Sequence, residues 1–111
     1  MQTLRDGCWY DIPSLPGSLI INIGDMIQIL SNDQYKAPVH RVLAMDRQQR
    51  YSAPFFCNPA YHALIAPLSA TSVADNGPRY RPVPWAEFRR RRAEGDFGDY
   101  GKEVQIADYA A

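Results

Sequence analysis

The chain has 111 residues, no formal net charge, and 46% hydrophobic against 22% charged residues, the composition of one globular domain or a part of one. A neutral balance supplies no global field for steering nucleic acid or an anionic membrane, and no apolar run approaches the roughly 20 residues of a spanning helix. Two cysteines, Cys8 and Cys57, and two histidines, His40 and His62, are too few for a disulfide scaffold or a zinc pattern.

The start, MQTLRDGCWYD, carries acids and no apolar core, so it does not read as a secretory leader. A cytoplasmic location is therefore expected, with both cysteines reduced and buried as small hydrophobes. QTLR and CWYDI read as two strands joined by the turn dipeptide Asp6-Gly7. Pro13, Pro16 and Gly17 punctuate a loop, and SLIINIG follows as a β-branched, apolar strand buried on both faces or nearly so. MIQILSND fits a helical turn capped by Asp25, through Met26, Ile29 and Leu30, or a strand, through Ile27 and Ile29. APVHRVLA, RYSAPFFCN and YHALIAPL are three further strand candidates. Residues 68–83 are rich in Ser, Pro, Gly and Asn and read as a surface loop. PWAEFRRRRAEG then reads as a helix over about 84–95. Pro84 stands in its first turn, Trp85 and Phe88 share a face, Glu87 pairs with Arg91, and Gly95 ends it. Strands come first and the helix last, a mostly β layout without βαβ alternation.

Side chains two apart in a strand share a face. Arg50 and Ser52 therefore point the same way, and a guanidinium fork beside a hydroxyl is a receptor for a carboxylate. His40, Val42 and Ala44 share a face on the preceding strand. If the two strands pair, an odd number of loop residues, such as Met45 to Gln49, puts His40 and Arg50 on one side.

These residues carry a resemblance. NIGD (Asn22–Asp25), the SN-x-x-YK stretch (Ser31 to Lys36), HRV (His40–Val42) and RxS (Arg50–Ser52), in that order and spacing, resemble the C-terminal half of the isopenicillin-N-synthase-like Fe(II)/2-oxoglutarate dioxygenases. The resemblance runs over nearly the whole chain and is strongest from Pro16 to Pro59. It implies a partial double-stranded β-helix, or jelly roll, over residues 1–111, with barrel strands in about 1–67 and the terminal helix outside. It implies that His40 is the third ligand of a 2-His-1-carboxylate iron triad, and that Arg50 and Ser52 bind the distal carboxylate of 2-oxoglutarate. The implied reaction couples oxidative decarboxylation of 2-oxoglutarate, to succinate and CO2, to oxidation of a small organic substrate by O2.

The chain departs from that family's pattern in its ligand set, and the family's upstream barrel strands and N-terminal region are not found in it either. The other two ligands come as H-x-D some tens of residues ahead of the third, and the 39 residues before His40 contain no histidine. His40-Arg41-Val42 and His62-Ala63-Leu64 are neither H-x-D nor H-x-E. One imidazole does not make an iron site, so the isolated chain is expected to be inactive. A fragment of a longer oxygenase, a degenerate jelly-roll interaction module, and a partner chain that supplies H-x-D are the three explanations. An open half-barrel is also expected to self-associate through its edge strands.

The remaining candidates read as structural. Asn22 and Asp25 shape a strand end and a turn, Tyr35 and Phe56 fill core more readily than they line a pocket, and His62 stands partly exposed in a strand. Arg89–Arg92, with Arg79 and Arg81, do not make a nucleic-acid face: four consecutive helical arginines spread around the circumference, offset by Glu87, Glu94 and Asp96.

Overall fold

A computed structural model describes residues 1–44, 49, 51–69, 77–98 and 104–111. Strands β1 (Gln2–Arg5) and β2 (Cys8–Asp11) form the expected antiparallel hairpin, with Arg5 opposite Cys8 at the turn. Asp6 and Gly7 both take left-handed backbone, φ 50° and 77°. That turn geometry matches the right-handed twist of the strands it joins. Strand β3 (His40–Arg41) adds to the other edge of β1, with Gln2 opposite Arg41 and Thr3 opposite His40, giving the order β2-β1-β3.

The segment SLIINIG forms no strand. Leu19 and Ile21 are 91% and 84% exposed. RYSAPFFCN behaves alike over its described residues, with Tyr51, Phe55 and Phe56 at 93%, 92% and 75% exposure and no strand. Both runs have the composition of buried strands, but β-propensity is expressed only where a neighbouring strand accepts the ladder and another layer covers the face. Tyr35 and Phe56, expected in the core, are therefore on the surface, and so are Cys8 and Cys57.

The MIQILSND ambiguity resolves as helix α1 (Asp25–Leu30). Gly24, in extended backbone, is its N-cap, and Asp25 is in the first turn instead of capping it. The Asp25 carboxylate accepts a hydrogen bond from Arg92 Nη1 at 2.6 Å, which ties α1 to the long helix. After α1 the chain leaves through Asn32 and Asp33, both left-handed at φ 52° and 71°, a conformation asparagine and aspartate tolerate better than other side chains.

Of YHALIAPL only β4 (Leu64–Ile65) is a strand, paired antiparallel with β5 (Val83–Pro84). His62 lies in an exposed turn, its ring 5.2 Å from that of Tyr61. The expected surface loop ends in the core, because Tyr80 and Val83 are buried. Residues 70–76 of that loop lie outside the described residues. Helix α2 (Trp85–Gly98) starts one residue after Pro84 and runs through Gly95. An interior glycine weakens a helix by about 1 kcal/mol without stopping it. Trp85 stacks on Phe88, centroids 5.5 Å apart, and Arg90 and Arg91 pair with Glu94 and Glu87 one turn away. A 3-10 turn, Ile106–Tyr109, brings the end of the chain back beside residues 79–81.

The packed interior is thus formed by Ile29, Ile65, Val83, Phe88 and their neighbours on the α1, β4–β5 and α2 side, while the three-stranded sheet stays thinly covered. The radius of gyration is 16.3 Å, against about 13 Å for an independently packed chain of this length. Among the described residues strands outnumber α-helices, five to two, and they form one three-stranded and one two-stranded sheet and no closed barrel.

Candidate metal and carboxylate site

His40 occupies one end of a row that crosses the sheet. Thr3 stands opposite both Tyr10 and His40, so the three side chains share one face. Backbone pairing holds the ring's strand in register: Leu4 N donates to Val39 O at 2.8 Å, and Thr3 Oγ1 donates to the same carbonyl at 3.4 Å. His40 Nδ1 lies 3.2 Å from Pro38 O. A carbonyl only accepts, so this contact requires hydrogen on Nδ1 and leaves the Nε2 lone pair as the ring's donor to an electrophile. The imidazole is exposed.

Arg41, next in sequence, turns to the opposite face. Its guanidinium sits 4.0 Å from the centre of the Trp9 ring, and its Nε donates to Gln2 Oε1 at 2.9 Å. Gln2 in turn donates to Asp11 at 3.1 Å. Arg41 is thereby engaged in the sheet and directed away from the His40 face. The sequence signal for this was strand alternation, with Trp9 two strands across.

Ser52 is exposed in a stretch without regular structure, and Arg50 lies outside the described residues. Among the described residues no group of three or more His, Cys, Asp or Glu side chains could hold a metal ion. The described residues do not fit a three-ligand iron site by themselves.

A polar cluster that sequence reasoning did not isolate meets the chain at Ala37, just ahead of the His40 strand. Gln28 on α1 donates from Nε2 to Asp33 Oδ1 at 2.9 Å and to the Tyr80 hydroxyl at 3.0 Å, and its Oε1 accepts from Ala37 N at 2.7 Å. The Tyr80 hydroxyl donates to Asp33 Oδ1 at 2.5 Å, and Arg79 places Nη1 3.7 Å from the other carboxylate oxygen. Burial works to raise the Asp33 carboxyl, but hydrogen bonds from Tyr80 and Gln28 and the charges of Lys36 and Arg79 hold it below its ordinary 3.8. Burial, then the bond to Asp33, pushes the Tyr80 phenol above its ordinary 10.0. Beside them Asn32, fully buried, accepts from Arg79 N at 2.7 Å and donates to Gly77 O at 3.1 Å. The SN-x-x-YK stretch marked one half of this cluster. The other half sits in residues that read as loop.

The model of the 2OG-Fe(II) oxygenase superfamily matches residues 1–59, a span that includes His40, Arg50 and Ser52. Gibberellin 2-beta-dioxygenase 5 of Oryza sativa subsp. japonica is 38% identical over 106 residues, covering 96% of this chain and 30% of the relative. 1-Aminocyclopropane-1-carboxylate oxidase 5 of Arabidopsis thaliana is 41% identical over 88 residues, 79% of this chain and 29% of the relative. Feruloyl CoA ortho-hydroxylase 1 of the same plant is 40% identical over 88 residues, 79% of this chain and 24% of the relative. The chain thus spans less than a third of the length of these relatives. No helix among the described residues is long and apolar enough to cross a membrane. The superfamily is one of oxidoreductases that use Fe(II) and 2-oxoglutarate, and this chain belongs to it.

Proposed function

We propose that the chain is the C-terminal part of the jelly-roll domain of an Fe(II)/2-oxoglutarate-dependent oxygenase acting on a small organic substrate with O2 and releasing succinate and CO2. His40 contributes one iron ligand through Nε2. Arg50 and Ser52 hold the distal carboxylate of 2-oxoglutarate. When bound, iron and 2-oxoglutarate supply the oxidising chemistry, and this chain's part is to present those three side chains. The observation that carries the reading is the family match over 1–59, which covers all three residues in the expected order. His40 on a paired strand, with its Nδ1 turned to Pro38, supports it.

The missing donors point to a longer polypeptide. Relatives more than three times the length of the matched region favour this over a degenerate module or a partner chain. The isolated chain is then inactive. Anaerobic titration with Fe(II) is expected to show no saturable one-to-one binding; stoichiometric binding by these 111 residues would contradict the ligand count. Relatives named for gibberellin, 1-aminocyclopropane-1-carboxylate and feruloyl CoA match at 38%, 41% and 40% identity, so the segment carries what those enzymes share.

Two further outcomes follow from the same reading. In the completed enzyme, Arg50→Ala raises the 2-oxoglutarate KM about tenfold or more, the scale of a lost charge-assisted pair. The organic substrate's KM changes far less, and equal changes in both would remove Arg50 from the clamp. The uncovered side chains of Leu19, Ile21, Tyr51 and Phe55 make the isolated chain self-associate. Sedimentation velocity should show mass rising with concentration, and a monomer at all concentrations counts against an open half-barrel.

A further inference from the structure

We infer that Gln28 is a positioning residue for the His40 imidazole, clamped in turn by Asp33 and Tyr80. The inference rests on the proposed role of His40 only for its functional meaning; the geometry stands without it. An ionised carboxylate only accepts hydrogen bonds, and a backbone amide only donates. Asp33 Oδ1, 2.9 Å from Gln28, therefore selects the NH2 end of the carboxamide, and Ala37 N, 2.7 Å away, selects the oxygen. The Tyr80 hydroxyl fits the same polarity, since it donates to Asp33 and accepts from Gln28 at 3.0 Å. The carboxamide has one satisfied orientation, and in that orientation it fixes the Ala37 amide.

The peptide bond after Ala37 leads into Pro38, whose ring restricts the backbone, and the Pro38 carbonyl is the group 3.2 Å from His40 Nδ1. The chain is thus held at Ala37 by Gln28, and at Val39 by Leu4 N at 2.8 Å. Only Pro38 lies between the two anchors. The carbonyl that sets the imidazole tautomer is fixed from both sides. Tyr80 is itself held from behind, because Ala111 N donates to Arg79 O and Arg81 N to Tyr109 O, both at 2.9 Å. The C-terminal return, which lies beyond the family-matched residues, therefore reaches the His40 strand through Tyr80 and Gln28.

Nitrogen-15 NMR of the 111-residue chain, at low concentration and at alkaline pH, tests this. The wild type should show His40 hydrogen on Nδ1. Gln28→Ala should speed exchange of the Ala37 amide about tenfold, the scale of one lost hydrogen bond, and shift the ring nitrogens toward the Nε2–H tautomer. Tyr80→Phe, which keeps the ring volume, should shift both signals the same way by less. Arg92→Ala, which breaks the tie to Asp25 at the other end of α1, should lower stability and leave both signals in place. Unchanged signals in Gln28→Ala, or equal shifts in Arg92→Ala, would overturn the assignment. Neither readout involves iron, so a failed iron reading and a failed positioning reading are told apart.

Discussion

His40→Ala, made in the enzyme completed with its H-x-D segment, is expected to lower turnover by more than about 100-fold. Groups that merely orient a metal ligand already cost about 10–100-fold when removed, and loss of the ligand itself has to exceed that. The fold should survive. His40 is exposed, and β3 is held by backbone pairing to Thr3 and Gln2 that the side chain does not enter. Exposed substitutions of this kind change stability by about 0.5 kcal/mol or less. Succinate release and a thermal melt, measured on the same preparation, separate the two effects. Substantial residual turnover would take His40 out of the iron site. A lost melt would make the inactivity a folding defect and leave the ligand role unsupported.

What could be read from the sequence was local chemistry. Asp6-Gly7 specifies a left-handed two-residue turn, and the hairpin follows from those two residues with little help from the rest of the chain. The Trp85/Phe88 face and the Glu87–Arg91 pair likewise depend on spacing within one helix. What could not be read depends on partners distant in sequence or outside these residues. Leu19–Ile21 and Tyr51–Phe56 have strand chemistry and are exposed without strand pairing; composition cannot say whether a neighbouring strand exists. Tyr80 looked like part of a polar loop, and is buried with its hydroxyl accepting from Gln28 and donating to Asp33, about 50 positions earlier. The site divides in the same way. The order of His40, Arg50 and Ser52 was legible as a motif, whereas the contact of His40 with Pro38 and the hold of Gln28 on Ala37 needed coordinates.

Asn32→Ala should be the costliest single change in the polar cluster, at about 2–4 kcal/mol. Two terms add. Arg79 N and Gly77 O lose the side chain that meets them at 2.7 and 3.1 Å, and each of these part-buried hydrogen bonds contributes about 0.5–1.5 kcal/mol. The backbone at φ 52° also suits asparagine better than alanine, by about 1 kcal/mol. Asn32→Gly separates the terms, since glycine accepts the left-handed backbone and removes the same hydrogen bonds. Glycine should therefore sit about 1 kcal/mol above alanine and still well below the wild type, measured as denaturant midpoints at a concentration low enough to limit association. If both variants match the wild type within about 0.5 kcal/mol, Asn32 is not what fastens the segment at 77–79 to α1. If both fall as expected, Tyr80 should loosen with them, because the residues that Asn32 grips immediately precede it and carry its hydroxyl to Gln28.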